Sequence, residues 1–351
     1  MAAFWAKLWP ILFALLIFGI IILSHELGHF IFARIFKVKI NEFSMGMGPR
    51  LFKKKGKETE YSIRLLPIGG YVAMEGENGD SSDANAFGSK PCWQRAIILI
   101  AGATVNIICG IILMGIMLSM SDLIGTPTIA QFYDNAKSST YGLKEGDKIV
   151  AVGTDKIYTE LDLSYFMMRD KDAVIDFLVE RDGELVNVKS VKFDTYEEQG
   201  ITCVYYDFSI RGIETTPKNV VKYAFLQSFS VARLVWDSLI DIAKLDFNLN
   251  ELSGPIGTVD IIADTTTNAV SSTDYTALLM IMSLLAINIG VFNLIPFPAL
   301  DGGRFFLVVI EGLTGWKMPA KVEAAINAAG FAALMMLMVA VTFSDVFKLI
   351  G

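Results

Sequence analysis

"WPILFALLIFGIIILSHELGHFIFARIF", residues 9 to 36, is a continuous apolar stretch that carries both histidines of the chain, His25 and His29, with Glu26 between them. A helix needs about 20 apolar residues to cross the hydrocarbon layer of a membrane, so this stretch is long enough to span one. Ionisable side chains are costly at that depth and mark functional sites. The stretch therefore predicts a transmembrane helix that contains a chemical centre.

The composition supports a membrane protein with several spans. The 351 residues are 53% hydrophobic and 19% charged, and the mean hydropathy of +0.48 is too high for an ordinary soluble domain. The net charge of −7 argues against a nucleic acid as partner. The three cysteines lack the spacing of a disulfide framework or a thiolate zinc site, so we expect them to be packing residues.

Four segments are long and apolar enough to be transmembrane helices: roughly residues 8–36, 93–120, 277–296 and 323–344. The first is not expected to be a cleaved signal peptide, because its basic leader is the single Lys7 and no small-residue cleavage site follows. The predicted fold class is a polytopic α-helical membrane protein, with two spans in residues 1–120 and two in 277–351.

Lysine and arginine residues near the helix ends predict the orientation, because such residues concentrate in cytoplasmic connections. We expect the connections 37–92 and 297–322 to be cytoplasmic, and the long connection 121–276 and both termini to be extracytoplasmic. The basic residues concerned are Arg34, Lys37, Lys39, Lys53, Lys54, Lys55, Lys57, Arg304, Lys317 and Lys321.

The extracytoplasmic region 121–214 has the pattern of a folded α+β domain. "YGLKEGDKIVAVG" (141–153) indicates turns and a strand, and in "IDFLVERDGELVNV" (175–188) alternating apolar residues flank Asp182-Gly183, a strong hairpin signal. The Gly-Leu-x-x-Gly-Asp pattern resembles a PDZ domain, which binds extended peptides by strand addition; another small α+β module is the alternative. In 215–276, apolar residues at helical spacing predict an amphipathic helix over about 217–245 on the membrane surface, and then a linker.

The cytoplasmic connection 37–92 contains two stretches with strand-like patterning. They are "FSMGMGPRLF" (43–52) and "EYSIRLLPIGGYVAMEG" (60–76), each interrupted by turn-forming residues. We predict a β-hairpin or small sheet with an exposed edge; a solvated loop is the alternative.

The spacing of the histidines predicts a zinc site. Residues four apart on a helix share one face, so His25 and His29 can both bind one zinc ion, at about 2.0–2.1 Å from each ring nitrogen. Glu26 lies beside them, where it can take a proton from a metal-bound water. Gly28 leaves room near the metal for a substrate backbone or serves helix packing.

Zinc in a catalytic site needs a third protein ligand, and no histidine remains to supply it. The best candidate is Asp301 in "NIGVFNLIPFPALDGGRFF" (288–306), because Pro296 and Pro298 break the third span just before it. Interrupted helices at membrane depth are tolerated where they line a polar cavity. A simple surface turn is the alternative for Asp301.

These motifs resemble the site-2 proteases, which are intramembrane zinc metalloproteases, and specifically their bacterial RseP-like branch with a PDZ domain. The likeness rests on HELGH (25–29) and N-x-x-P-x-P-x-L-D-G (293–302), and extends to "NEFSMGMGP" (41–49), "LPIGGYVAMEGE" (66–77), "KPCWQRAII" (90–98) and "SGPIG" (253–257). In "AGATVN" (101–106) Ala103 stands where the family often has proline, although Gly102 and Asn106 remain for close helix packing.

The resemblance implies roles for individual residues. His25, His29 and Asp301 would bind Zn²⁺, and Glu26 would be the general base. Asn288 and Asn293 would hold the substrate backbone in an extended form. The hairpin would dip into the membrane and pair with the substrate through Gly69, Gly70, Tyr71 and Val72.

The implied activity is hydrolysis of peptide bonds within transmembrane segments of single-pass membrane proteins. Such substrates include anti-sigma factors, after an outer cut by an upstream protease, and remnant signal peptides. The enzyme would lie in the bacterial inner membrane, with its active site near the cytoplasmic side. A zinc transporter would need ligands along several spans, and a scaffold that binds peptide tails would leave the histidines unexplained. Whether the PDZ-like domain filters substrates by size or binds peptide tails stays open.

Overall fold

The computed structural model describes residues 2–77, 81–170, 172–198, 201–244 and 254–350. They form two compact units, one of Met1–Leu113 with Val235–Gly351 and the other of Met114–Leu234. Within the described ranges, four helices are long and apolar enough to cross a membrane: Leu8–Ile35, Cys92–Ser119, Thr276–Asn293 and Ala320–Phe347. The four predicted spans are thereby confirmed as helices.

The first unit begins with helix α1 (Ala2–Ile35), strands β1 (Ile40–Lys55) and β2 (Glu60–Met74), and helix α2 (Cys92–Ser119). Both strands bend, so that residues 40–45 pair with 70–74 on one side and 42–45 pair with 60–63 on the other, while 50–55 pair with 60–64. Gly46 and Gly48 adopt φ angles of 84° and 85°, which permit the bend in β1. Of the two predicted forms, a hairpin or a small sheet, the structure shows a small sheet of four segments, and residues 70–74 form one of its edges.

The second unit is an α+β domain. Its strands are β3 (Leu123–Phe132), β4 (Lys148–Val152), β5 (Asp155–Lys156), β6 (Val174–Arg181), β7 (Glu184–Lys192), β8 (Thr195–Glu198), β9 (Ile201–Val204) and β10 (Phe208–Glu214), with helices α3 (Lys137–Thr140) and α4 (Glu160–Arg169) between them. The main sheet has the order β10-β3-β4-β6-β7, β5 pairs with β4, and β8 pairs with β9. The predicted hairpin is confirmed as β6–β7, with Asp182 and Gly183 at positive φ in its turn.

A buried ion pair explains the aspartate of the Gly-Asp turn. Asp147 is fully buried and accepts hydrogen bonds from Arg181, with Nε at 2.7 Å from one carboxylate oxygen and Nη2 at 2.7 Å from the other. It also accepts the backbone N–H of Lys144 at 2.9 Å. The turn is thus tied to the end of β6 by a two-pronged contact, which is the strong geometry for arginine and carboxylate.

Helix α5 (Pro217–Lys244) matches the predicted amphipathic helix. Val221, Phe225 and Phe229 are exposed along one face of it. On the other face Ser230 is buried, and its hydroxyl donates to Asp162 of α4 at 2.7 Å. The polar side of the helix is therefore packed within the α+β unit, and its apolar side is left exposed.

The predicted linker is wrong over most of its length, because residues 255–272 form a helix. Residues 245–253 lie outside the described residues, and then come α6 (Pro255–Ser272), α7 (Thr276–Asn293), α8 (Asp301–Thr314) and α9 (Ala320–Ile350). The buried Asp345 of α9 accepts the backbone N–H groups of Gly254 and Gly257 at 3.0 and 2.9 Å, and so caps α6. This partner is remote in sequence, so the local pattern does not reveal the helix.

Helix α7 ends at Asn293, three residues before the predicted end of the third span at 296. Pro296 and Pro298 lack backbone N–H groups and restrict the residues that precede them, so the chain leaves the helix here and restarts at Asp301. This interruption places Asp301 at the first position of α8.

Candidate metal centre

Helix α1 presents both histidines on one face, one turn apart. The Nε2 atoms of His25 and His29 are 3.2 Å from each other, and the two residues are 8% and 7% exposed. Buried ring nitrogens need a hydrogen-bond partner or a metal, and nitrogens this close together can share one. The helical spacing seen in the sequence therefore yields a pair of nitrogens aimed at one point.

Asp301 completes the cluster from the start of α8. Its Oδ2 atom lies 2.9 Å from Nε2 of His25 and 3.0 Å from Nε2 of His29. The possible ligand atoms of His25, His29 and Asp301 all lie within 4.8 Å of one another, as the ligands of one metal ion would. Among the residues that the structure describes, this is the group of histidine, cysteine and acidic side chains that could hold a metal ion. Two imidazole nitrogens and one carboxylate oxygen are a donor set of catalytic zinc sites, so these residues fit the ion.

A backbone carbonyl orients one of the rings. Nδ1 of His29 is 2.8 Å from the carbonyl oxygen of Ile98 on α2. Because a carbonyl only accepts, Nδ1 carries the proton, and Nε2 is left as the atom with a lone pair for a metal. For Nδ1 of His25, no partner is found among the described residues.

The site depends on close contact between α1 and α2. A Cβ atom at Gly102 would lie 2.4 Å from Nε2 of His29 and 2.9 Å from Nε2 of His25. A Cβ atom at Gly28 would lie 2.5 Å from the carbonyl oxygen of Ala101. Gly28 therefore serves helix packing, the second of its two predicted roles. Gly102 was expected to serve packing alone, and the structure places it against the metal-binding atoms as well.

Glu26 stands beside the cluster without joining its converging donor atoms. Its Cγ atom is 3.1 Å from the position that a Cβ atom at Gly70 would occupy. The glutamate therefore lies between the metal-binding residues of its own helix and the edge of the small sheet. This is the position that a general base needs if the substrate binds along that edge.

The direction of the backbone along that edge follows from two hydrogen bonds. The N–H of Glu75 donates to the carbonyl of Lys39 at 2.9 Å, on the β1 side. The N–H of Met74 donates instead to the Glu77 carboxylate at 3.3 Å, on the opposite side. Backbone groups alternate along a strand, so those of Gly70 and Val72 also point away from β1. Within the described residues β1 is the partner strand of 70–74, which leaves this side free to pair.

A polar network fixes the edge strand to the rest of the sheet. The guanidinium of Arg64 donates to the Ser44 hydroxyl at 2.9 Å, to the Glu42 carboxylate at 3.0 Å and to the Tyr71 hydroxyl at 2.5 Å. Burial of the Glu42 carboxyl opposes its ionisation, but hydrogen bonds from Ser62, Tyr71 and Arg64 prevail and lower its pKa to about 2. Tyr71 thus faces this network, while Val72 on the opposite face is 8% exposed in the apolar core.

The structure does not bring every predicted site residue to the metal cluster. Asn293 donates from Nδ2 to the carbonyl of Ile289 in its own helix at 2.9 Å, and Asn288 is half-buried in the same helix. Among the described residues neither forms a hydrogen bond with the histidines or Asp301. Their role in holding the substrate stays a prediction. Gly70, Tyr71 and Val72 lie in the edge segment 70–74, and Gly69 directly precedes it.

Comparison with known proteins identifies the family. Residues 13–337 match peptidase family M50. The chain belongs to this family. Over 96% of its length it is 35% identical to a protein named as a zinc metalloprotease in Clostridium acetobutylicum, 97% of which is covered. It is 26% identical to the regulator of sigma-W protease RasP of Bacillus subtilis and 29% identical to the zinc metalloprotease RasP of Shouchella clausii, in each case over 95% of this chain and 97% of the relative.

The membership confirms the enzyme class predicted from the two motifs. The protein is a zinc metalloprotease of the site-2 type and a multi-pass membrane protein, and its cofactor is Zn²⁺. Family membership also decides against the zinc transporter and the scaffold as alternatives. His25, His29 and Asp301 are the residues that the structure offers to the ion.

Proposed function

We propose that this intramembrane protease cleaves transmembrane segments of single-pass membrane proteins, and that the substrate unwinds and adds as a strand to the edge at Gly70–Val72. The observation that carries the proposal is the free edge beside Glu26. Gly70 approaches the Glu26 side chain, and the outward backbone groups of Gly70 and Val72 have no strand partner in the described residues. A peptide paired there has its backbone next to the general base.

Strand addition solves an energetic problem for such a substrate. A transmembrane helix satisfies its own backbone groups, and each group left unpaired in hydrocarbon costs several kcal/mol. An unwound substrate must therefore find replacement hydrogen bonds before its peptide bond is accessible. The N–H and C=O groups on the free edge supply them, as in other cases of β-strand addition.

Glu26 moves the proton in this reaction. His25, His29 and Asp301 would hold the zinc ion, which would supply Lewis-acid chemistry to the attacking water and the scissile carbonyl. Glu26 takes the proton from the attacking water and delivers it to the leaving amine. Asn288 and Asn293 contribute further contacts to the extended backbone.

The cellular setting follows the same reasoning. The basic residues in the two connections support an orientation with the small sheet on the cytoplasmic side, the active site in the membrane near that face and both termini outside the cytoplasm. The α+β unit is then an extracytoplasmic PDZ-like domain. Because one relative is named a regulator of sigma-W protease, anti-sigma factors trimmed by an upstream protease are the first substrates to test; remnant signal peptides are the second.

The test uses the purified full chain and a single-pass substrate, with and without a zinc chelator, and the variant Val72→Pro. Proline removes the outward N–H of Val72 without breaking a bond to β1, which an edge strand tolerates. An acceptor left unpaired costs about 1–3 kcal/mol, so cleavage should fall about 5- to 150-fold while zinc content stays at the parent level. The control Val72→Ala keeps the N–H and loses only side-chain packing. Normal cleavage by Val72→Pro would show that the substrate does not pair at this edge.

A further inference from the structure

At one end of the free edge of the small sheet, a side chain already occupies the pairing position. Gly70 and Val72 offer their outward backbone groups, but the next outward N–H along the strand, that of Met74, already donates to the carboxylate of Glu77 at 3.3 Å. A side chain that occupies the pairing position of a strand edge prevents another strand from continuing there. Pairing can therefore extend to Val72 and no further.

Glu77 is held in this position by Arg304 of α8. Arg304 donates from Nη1 to the Glu77 carboxylate at 2.5 Å and from Nη2 to the Glu77 carbonyl oxygen at 3.0 Å. Its guanidinium also lies 5.9 Å from the centre of the Phe87 ring. The side chains of Arg304 and Glu77 are only 16% and 15% exposed, so the pair is largely shielded from solvent. A shielded pair with one charge-assisted hydrogen bond and a second bond to the backbone carbonyl holds its geometry better than a surface pair does.

We propose that Glu77, clamped by Arg304, is a stop that sets the register of the bound substrate and thereby selects the peptide bond that is cut. The proposal rests on the strand addition proposed above. The substrate must leave the edge where Glu77 stands, so the number of its residues that pair with Gly70–Val72 is limited. This limit fixes which carbonyl reaches Glu26 and the metal-binding residues.

Removal of the stop has a specific consequence. Outward backbone groups recur at every second residue, so a freed Met74 N–H adds one pairing position, and the substrate can slip by two residues while keeping the same side chains on each face. Gly76 and Glu77, which follow the strand in sequence, line a cavity of about 460 Å³, and this is the space that we assign to the extra residues. A one-residue slip would turn every side chain of the substrate to the wrong face.

The experiment is to map the products of Glu77→Ala by mass spectrometry on a single-pass substrate, together with zinc content. We expect a second cleavage product, displaced by two residues from the parent product, with zinc unchanged. Glu77→Gln keeps an oxygen that can accept the Met74 N–H, so it should retain the parent product as the main one. Arg304→Met frees Glu77 from its clamp and should also yield the displaced product.

Glu311→Gln is the matched control. It disrupts the 2.6 Å ion pair of Arg95 with Glu311, which lies on the same helix α8 and lines the same cavity but does not touch the edge. This variant should lower stability without giving a displaced product. If Glu77 has only a structural role, Glu77→Ala and Arg304→Met should give a smaller amount of the parent product and no displaced product. That result would refute the proposal that Glu77 is a stop. Loss of cleavage in Val72→Pro combined with an unshifted product in Glu77→Ala would reject the stop alone and leave strand addition standing.

Discussion

Gly102→Ala tests whether the contact between α1 and α2 shapes the metal site. The added methyl carbon would lie 2.4 Å from Nε2 of His29, whereas ordinary contact begins at 3.4 Å, so this nitrogen must move by about 1 Å. Nε2 of His25, at 2.9 Å from the same carbon, must move by about half as much. Metal–ligand distances tolerate only about 0.2 Å.

Changes to residues that surround metal ligands typically weaken metal binding about 10- to 100-fold. Displacement of the two ligand atoms themselves should weaken zinc binding by at least that much. The measurement is zinc retained by the purified full-length protein against a chelator of known affinity, which does not depend on activity. Cleavage of a membrane substrate should fall in parallel at limiting zinc.

Gly115→Ala is the matched control on the same helix. A Cβ atom there would lie 3.7 Å from Cβ of Ala224, which is ordinary contact. Alanine is favoured over glycine in a helix by about 0.5–1 kcal/mol, so helix propensity alone would stabilise both variants. A Gly102→Ala protein that binds zinc as tightly as the parent would refute the argument that the rings are confined by α2.

Four further predictions concern the base, the third ligand and, twice, the α+β unit. Glu26→Gln should keep zinc, because Glu26 is outside the converging donor atoms, but lose activity by about 100-fold or more; Asp301→Ala should lose zinc itself, and metal analysis of the two variants separates the roles. Arg181→Met would leave the buried Asp147 carboxylate without its ion pair and should destabilise the α+β unit by about 3–5 kcal/mol, measured by thermal unfolding or limited proteolysis. Residues 123–214 can be excised without separating the flanking chain ends, because Leu123 pairs with Glu214. If the α+β unit is a size filter, the excised protein should cleave untrimmed substrates. If the unit captures peptide ends, the excised protein should no longer cleave trimmed substrates.

The sequence predicted those features whose signals are local. Histidines four residues apart fall on one helix face by geometry alone, and the structure places their Nε2 atoms 3.2 Å apart. Asp182-Gly183 between alternating apolar residues indicated the β6–β7 hairpin for an equally local reason. Long apolar runs predicted the four spans, with ends correct to within three residues, because the length of such a run is set by the membrane.

Features that depend on distant partners were missed or only partly predicted. Helix α6 was assigned as a linker because Asp345, which caps it, lies on another helix far along the chain. The sequence predicts a hairpin or a small sheet here without deciding between them, because the bends depend on glycines whose φ angles a sequence does not reveal. The sequence does not predict that Gly102 lies at the metal site, because a glycine in an apolar helix indicates only helix packing. Its proximity to two ring nitrogens arises only when α1 and α2 pack together.

The metal-binding cluster and the free edge of the small sheet are linked through one short helix. Asp301 begins α8, and Arg304 one turn later holds Glu77 at the end of the edge. The same helix therefore offers a carboxylate to the metal-binding cluster and holds Glu77 at the end of the edge strand. The two effects are separable, because Asp301 touches the histidines while Arg304 touches Glu77. Substitution of Asp301 should change the zinc content, and substitution of Arg304 should change the position of the cut. A single substitution in α8 that changed both would mean that the whole helix had moved.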